Sequence, residues 1–123
     1  MEFSTVMENY NVQSNQFHES VQSYINQDGI FHDVTLATDD YHLMKAHKLI
    51  LSAGSLYFRE ILGTANHPQP FIHLGGFSKF TLLAIVEFLY SGKTKIDAVK
   101  WEDFKEAASF FKIVGFLTDE VKK

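Results

Sequence analysis

Apolar and polar residues alternate in two different periods along this 123-residue chain, and these periods predict where helices and strands lie. The densest apolar stretch runs from His47 to Leu62, where apolar residues recur at spacings of three and four, as they do along a helix. The small residues from Ser52 to Ser55 interrupt it, because Gly54 favours a helix end and Ser55 can cap the next helix. The pattern therefore predicts a pair of short helices near the middle of the chain.

Further helices are predicted on both sides of this pair. The first spans residues 14–27 and begins after a candidate cap at Ser14. Its apolar stripe consists of Phe17, Val21, Tyr24 and Ile25. Ser78 caps another helix that continues to about Tyr90; it is apolar almost all round, so we expect burial on most sides. The last helix follows Asp97. Its apolar face consists of Trp101, Phe104, Ala107, Ala108 and Phe111.

Short strands are predicted between these helices. Residues 30–38 and Tyr41–Lys45 read as a hairpin, and Phe71–Leu74 reads as a third strand after a loop with two prolines. Thr94–Ile96 is a candidate edge strand, and Phe3–Met7 is a candidate terminal strand that would fray unless tied down. The order of elements predicts an α+β fold, with a small sheet packed against a cluster of helices.

Composition and charge narrow the class of protein. The length fits one domain with a proper core, the formal charge is -4 and Arg59 is the single arginine. A nucleic-acid reader normally carries a basic patch, and this sequence has none, so we expect no direct nucleic-acid binding. No apolar run is long enough to span a membrane. The chain contains no cysteine and twelve phenylalanines, an aromatic surplus that another chain could cover.

No residue pattern in the sequence indicates catalysis. Six histidines are present, but none is paired with another four residues away on a helix and no cysteine supports a metal site. Gly75-Gly76 lacks the further residues of a phosphate-binding loop. No serine stands in a nucleophile elbow. We therefore expect no catalytic residue, no metal and no cofactor, and interpret His47 as a structural hydrogen-bonding residue.

Two charged residues stand out because their neighbours are apolar. Asp33 begins a strand next to Phe31 and Val34, and Lys48 precedes Leu49 in an apolar helix. Charges embedded in this way are usually paired or lie at a groove. The alternative is that each is a solvated residue at the end of its element, and the residues alone leave both interpretations open.

Several segments together resemble one known family. They are Phe31–Leu36 (FHDVTL), Ala46–Lys48 (AHK), Leu51–Phe58 (LSAGSLYF) and Glu87–Gly92 (EFLYSG). In order and spacing they resemble the core of the BTB/POZ domain, and the likeness covers about residues 14–116. Phe3–Asn15 resembles, more loosely, the N-terminal arm of the Tramtrack-type branch of BTB transcription regulators. Met7-Glu8-Asn9 departs from the Trp-Asn-Asn common in that branch.

The resemblance implies an architecture for the whole chain. It is a single BTB/POZ domain over residues 1–123, with an N-terminal arm (1–13), a dimer helix (14–27) and a core (31–116). A three-stranded sheet packs on five or six helices, and the arm strand and first helix exchange between two copies, with Thr94–Ile96 as the acceptor. The implied dimer interface comprises Phe3, Val6, Phe17, Val21, Tyr24, Ile25, Leu49 and Ile96. Asp33 and Lys48 would line a charged pocket where co-regulator peptides dock.

The implied function is binding, not catalysis. The first expectation is a homodimerising module of a transcription or chromatin regulator in the nucleus. Higher oligomers, or heterodimers with other BTB chains, are further assemblies that the resemblance allows. The alternatives are a substrate adaptor for a cullin-type ubiquitin ligase and a BTB-only assembly partner, with the cytoplasm as the alternative location. The chain stops just after the domain, which fits either an excised domain or a BTB-only protein.

Overall fold

A computed structural model describes residues 9–12, 16, 19–21, 23, 30–64 and 66–115. The chain divides into two units, Met1–Ile30 and Phe31–Lys123. In the first unit, residues 16, 19–21 and 23 are helical, within the helix predicted for residues 14–27. The predictions for Phe3, Val6, Phe17, Tyr24 and Ile25 lie outside the described residues. No helix in the described part is both long and apolar enough to cross a membrane.

The second unit contains a three-stranded sheet in the order β2-β1-β3. Strand β1 (Val34–Ala37) pairs with β2 (Leu43–Ala46) in antiparallel fashion, with Val34 opposite Ala46. Strand β3 (Phe71–His73) pairs with β1 in parallel, with Thr35 opposite Phe71. The predicted hairpin and third strand are thus confirmed, and so is the α+β class.

Four α-helices and one 3-10 helix accompany this sheet in the described residues. They are α1 (Lys48–Gly54), α2 (Leu56–Gly63), α3 (Lys79–Ser91), the 3-10 helix (Ala98–Lys100) and α4 (Trp101–Phe110). Helix α3 begins at the predicted cap, because the Ser78 side chain accepts a hydrogen bond from the Thr81 N–H, and it ends at Gly92 with φ 83°. A left-handed residue of this kind is a common helix end, and glycine adopts it without strain.

The break between α1 and α2 is built around Ser55, which is completely buried. Its backbone is extended, and its Oγ accepts the Phe58 N–H at 3.1 Å and caps α2. The same hydroxyl donates to the Phe111 carbonyl oxygen at 2.6 Å. Around it, Leu56 donates to Lys112 O, and a bridge joins Ser55 to Ile113. One residue therefore starts α2 and fixes the segment that follows α4.

The core lies between one face of the sheet and the helices. Val34, Leu36 and Ala46 contribute the buried positions of the sheet. The helices and the residue that follows α4 contribute Leu51, Phe58, Leu62, Leu82, Ile85, Phe104, Ala107, Ala108 and Phe111. Phe58 and Phe111, the two residues that hydrogen-bond to the Ser55 hydroxyl, also stack on each other with ring centroids 5.2 Å apart. Burial of these side chains is the main stabilising contribution of the unit.

Two predictions about this unit are wrong. Thr94–Ile96 is not a strand: it is irregular, and no other described segment pairs with it. Helix α3 is not buried on most sides, since only Thr81, Leu82 and Ile85 are buried while Phe80 is 66% exposed. Thr94–Ile96 lacks a pairing segment among the described residues, whereas α3 is exposed because the other elements of the unit cover only one of its sides.

The two serine caps lead to a stability prediction. We expect Ser55→Ala to lower the free energy of unfolding by about 2–3 kcal/mol, because it removes a cap and a buried hydrogen bond to Phe111. Ser78→Ala removes a cap and a hydrogen bond to the Thr81 hydroxyl, but at an exposed residue, and should cost about 1 kcal/mol. Urea titration of both variants measures the difference, and equal losses would contradict the role assigned to the buried hydroxyl.

Candidate functional site

A polar cluster forms where β1, β2, α1 and α3 come together. Asp33 donates its backbone N–H to the Ala46 carbonyl oxygen at 3.1 Å, which holds it beside the end of β2. Its carboxylate accepts the backbone N–H of Lys48, the first residue of α1, at 2.7 Å. The side chain of His47, the residue in the capping position, makes no such bond. Asp33 therefore caps α1 from another element, and its negative charge suits a helix N-terminus.

The structure brings Asp33 and Lys48 together, but through the lysine backbone. The ion pairs found among the described residues do not include the Lys48 ammonium group. Both side chains are half-buried. The carboxylate is thus committed to positioning α1, while the ammonium group remains available at the surface of the cluster.

His47 ties the same point of the chain to α3. Its ring is nearly buried, at 8% exposure for the residue. The Tyr90 hydroxyl accepts the His47 backbone N–H at 3.0 Å and lies 2.6 Å from Nδ1. The Tyr90 and His47 side chains therefore share a hydrogen bond, in which the histidine tautomer sets the donor. The structural role predicted for His47 is confirmed, and the His32 ring packs 5.3 Å away.

Tyr90 is the member of the cluster that sequence reasoning missed. Burial raises its pKa above the ordinary value, and the nearby Asp33 charge raises it further, while the hydrogen bond from the His47 backbone opposes both. Tyr90 stands in the Glu87–Gly92 motif, but nothing in the residue pattern links it to a histidine 43 positions earlier. The raised pKa means that its phenol stays protonated further into the alkaline range than an ordinary tyrosine.

Exposed apolar residues stand next to the cluster in sequence. Phe31 is 81% exposed, and Leu49, on α1 directly after Lys48, is 78% exposed. In the other unit, Val21 is 40% exposed. Single exposed apolar residues are ordinary, but a set of large ones indicates a surface that a partner covers. Leu49 and Val21 were both predicted as interface residues, and both are accessible.

A separate apolar cavity lies beside the irregular segment that follows α3. It has a volume of about 360 Å³ and is lined by Phe80, Thr81, Ala84, Lys95, Ile96, Asp97, Lys100 and Phe104. Ile96, the remaining predicted interface residue in this unit, is therefore part of its wall. The backbone groups of Thr94–Ile96 make no backbone hydrogen bond within the described part of the chain.

The described residues show no arrangement that would hold a metal ion. No three histidine or acidic side chains in that part of the chain converge as ligands would. What the surface offers is a lysine ammonium group, large exposed apolar side chains and an unpaired backbone segment. These are features of a surface that binds other polypeptides.

Comparison with known proteins identifies the family. The sequence profile described as the BTB/POZ domain matches residues 23–122. The chain belongs to the BTB/POZ family, as its motifs indicated, and BTB domains are protein-interaction modules. The prediction of the family is confirmed.

The sequence relatives are proteins of Drosophila melanogaster and mouse. The Broad-complex core protein is 32% identical over 111 residues, which are 88% of this chain and 15% of that protein. The longitudinals lacking protein-like is 38% identical over 85 residues, which are 69% of this chain and 66% of that protein. Mouse Kelch-like protein 13 is 33% identical over 73% of this chain and 14% of its own length. The chain thus spans less than two thirds of each relative.

Solved structures show the same fold. The BTB domain of zebrafish PATZ1 superposes with a TM-score of 0.72 at 21% identity, covering 85% of this chain and 88% of that one. The BTB domain of human gigaxonin gives 0.68 at 23% identity, covering 87% and 90%. The predicted BTB/POZ fold is confirmed.

The Tyr90 hydroxyl leads to a prediction with a pH dependence. We expect Tyr90→Phe to lower the free energy of unfolding by about 1–3 kcal/mol at neutral pH, because His47 loses a buried partner. Because the folded-state pKa of Tyr90 is raised, the native chain should lose stability as pH rises above the ordinary value of 10.0. The variant lacks this ionisation, so the difference between the two proteins should shrink there.

Chemical denaturation across this alkaline range measures the effect. Tyr41→Phe is the matched control, because Tyr41 is 94% exposed and its hydroxyl should contribute little. A difference for Tyr90→Phe that stays constant up to high pH would contradict the raised pKa.

Proposed function

We propose that this domain forms a homodimer that serves a transcription or chromatin regulator, with the nucleus as its location. The observation that carries the proposal is the unpaired Thr94–Ile96 segment beside an apolar cavity. A second copy can supply what this segment lacks, namely a strand for its backbone and side chains for the cavity.

The backbone argument concerns strand exchange. Free backbone N–H and C=O groups are a template for a further strand. Thr94–Ile96 has such groups, and Ile96 and Phe80 line the apolar cavity next to them. The arm of a second copy offers Phe3 and Val6, apolar residues at a spacing of three. We propose that the arm residues Phe3–Met7 pair with this segment in the partner.

The side-chain argument concerns a helical seam. Leu49 on α1 and Val21 in the first helical segment are exposed apolar residues in the single chain. We propose that they join Phe17, Tyr24 and Ile25 in a seam between two copies. Apolar burial contributes about 25 cal/mol per Å², and obligate homodimer interfaces commonly exceed about 2,000 Å². A seam together with an exchanged arm is of the kind that reaches this size.

The regulatory part of the proposal rests on Lys48. Its backbone is fixed by Asp33, so the position from which its side chain leaves α1 is defined, and its ammonium group lies outside the ion pairs of the described residues. We propose that Lys48, with Asp33 beside it, contacts co-regulator peptides at a groove of the dimer. The likeness to protein tramtrack of Drosophila melanogaster, 33% identical over 85 residues, supports the proposal of a regulator over an unrelated use of the fold.

The second candidate function is that of a substrate adaptor for a cullin-type ubiquitin ligase, as some BTB proteins are. The likeness to Kelch-like protein 13 favours it. Copurification of the chain with a cullin scaffold separates the two functions, because a regulator domain has no need of that contact.

The dimer is tested by sedimentation velocity. We expect a species of twice the 14.1 kDa mass of one chain at micromolar concentration. Leu49→Asp and Ile96→Asp should each raise the dissociation constant by roughly a hundredfold or more, because an unpaired charge buried at an interface costs about 3–5 kcal/mol. Val99→Asp is the control, since Val99 is 87% exposed on the 3-10 helix and lines neither region. A monomer in the native chain overturns the proposal.

The regulatory role is tested by tethering the domain to a reporter promoter through an unrelated DNA-binding module. We expect a change in transcription that Lys48→Gln reduces several-fold while the dimer mass is unchanged, because the substitution removes a charge without adding bulk. Lys93→Gln, at another exposed lysine, should have the activity of the native domain. Equal activity of both variants would remove Lys48 from the proposed contact.

A further inference from the structure

The sheet has a second face, on which the side chains of Leu43 and Phe71 are exposed. Residues on a strand alternate between faces, and the register puts Val34, Leu36, Met44, Ala46 and Ile72 on the helix side, where all five belong to or pack on the core. The opposite face carries two rows across the three strands. One row is Lys45, Thr35 and Phe71, and the other is Leu43, Ala37 and His73.

These rows make a depression because the central strand has the smallest side chains. Ala37 on β1 lies between Leu43 on one edge strand and His73 on the other. The two edge strands are about 10 Å apart, two spacings of adjacent strands. The result is an open cavity of about 490 Å³, here termed the sheet trough, lined by Ala37, Thr38, Asp39, Tyr41, Leu43, Phe71 and His73.

The walls of the sheet trough are large apolar side chains exposed to solvent. Tyr41 is 94% exposed, Phe71 63% and Leu43 58%. Tyr41 is also held at φ 63°, a left-handed conformation that an aromatic residue adopts at a cost. The turn is held in place by the Thr38 N–H donating to the His42 carbonyl oxygen, and the Tyr41 N–H donating to Thr38 O. The turn therefore places the Tyr41 ring at the end of the trough.

The charge at that end is negative. Asp39 lies in the lining, with one carboxylate oxygen 2.9 Å from His73 Nε2 and the other accepting the Gly76 N–H. Asp40 follows it and accepts a hydrogen bond from the Thr38 hydroxyl, which lowers the pKa of Asp40 and keeps it charged. The charges of Lys79 and His42 also act on Asp40 and lower its pKa. This end of the trough carries two carboxylates and one lysine, so its net charge is negative. Lys45 belongs to the other row of the sheet face and does not change this.

We infer that the sheet trough binds a partner peptide that presents one bulky apolar side chain next to a basic residue. The apolar side chain fills the space above Ala37 between Leu43 and Phe71, and the basic residue lies against Asp39 and Asp40. This surface is on the opposite face of the sheet from the core. Its lining does not include Lys48, Leu49 or Ile96, the residues of this unit that are assigned to the proposed dimer and its groove.

The test is selection of a phage-displayed library of short random peptides on the native domain, followed by binding measurements by fluorescence polarisation. Selected peptides should share an apolar residue flanked by Lys or Arg. Phe71→Ser should weaken them by at least roughly tenfold, as expected for the loss of most of an apolar contact. Asp40→Asn should weaken them less and flatten their salt dependence, because one charge of the acidic end is gone.

Val99→Ser is the matched control, because it removes an exposed apolar side chain from the 3-10 helix and should leave affinity unchanged. Thermal unfolding verifies that all three variants are folded. The inference is overturned if no such peptides are enriched, or if they bind Phe71→Ser as tightly as the native domain. It is also overturned if Phe71→Ser lowers the sedimenting mass of the domain, since the trough would then be covered by a second copy.

Discussion

The buried hydroxyl of Ser55 is the constraint on which much of this domain depends. An extended residue between two helices leaves backbone groups that must find partners. Here the partners come from the segment after α4, through Phe111, Lys112 and Ile113. The last part of the described chain therefore completes a junction made near its middle. The polar junction is tolerated in the core because the Ser55 hydroxyl and the N–H groups of Leu56 and Tyr57 are hydrogen-bonded.

The same junction sets the position of α1. Gly54 directly precedes Ser55, and a Cβ atom there would be 2.6 Å from Leu89 Cδ2. The C-terminal end of α1 is thus in close contact with α3. At the other end of α1, Asp33 bonds Lys48 and Tyr90 bonds His47. A helix of seven residues is too short to be stable alone, so these fixed ends, together with buried Leu51, determine where Lys48 and Leu49 reach the surface.

The sequence was sufficient for features that depend on neighbours along the chain. The spacing of apolar residues located α1 and α2, and the small residues from Ser52 to Ser55 located the break between them. It was insufficient for features that depend on distant residues. The link from His47 to Tyr90, the partners of Ser55 and the exposure of Phe80 all follow from packing between elements. Thr94–Ile96 has strand-forming residues but no pairing segment within the part of the chain that the structure describes, and pairing decides whether a strand exists.

The sheet trough is a site that could not be predicted from the sequence, because it too depends on residues that are distant along the chain. Tyr41, Leu43 and Phe71 are unremarkable in the sequence, since they are ordinary members of predicted strands. Only the register, which places Ala37 between Leu43 and His73, turns them into the walls of one depression. The consequence for function is a division between two faces of the sheet. The helix side has the core, with α1 and its exposed Leu49, whereas the open side has the trough. The residues of this unit that are proposed for the dimer contact, Leu49 and Ile96, do not line the trough, so binding at the two surfaces need not compete.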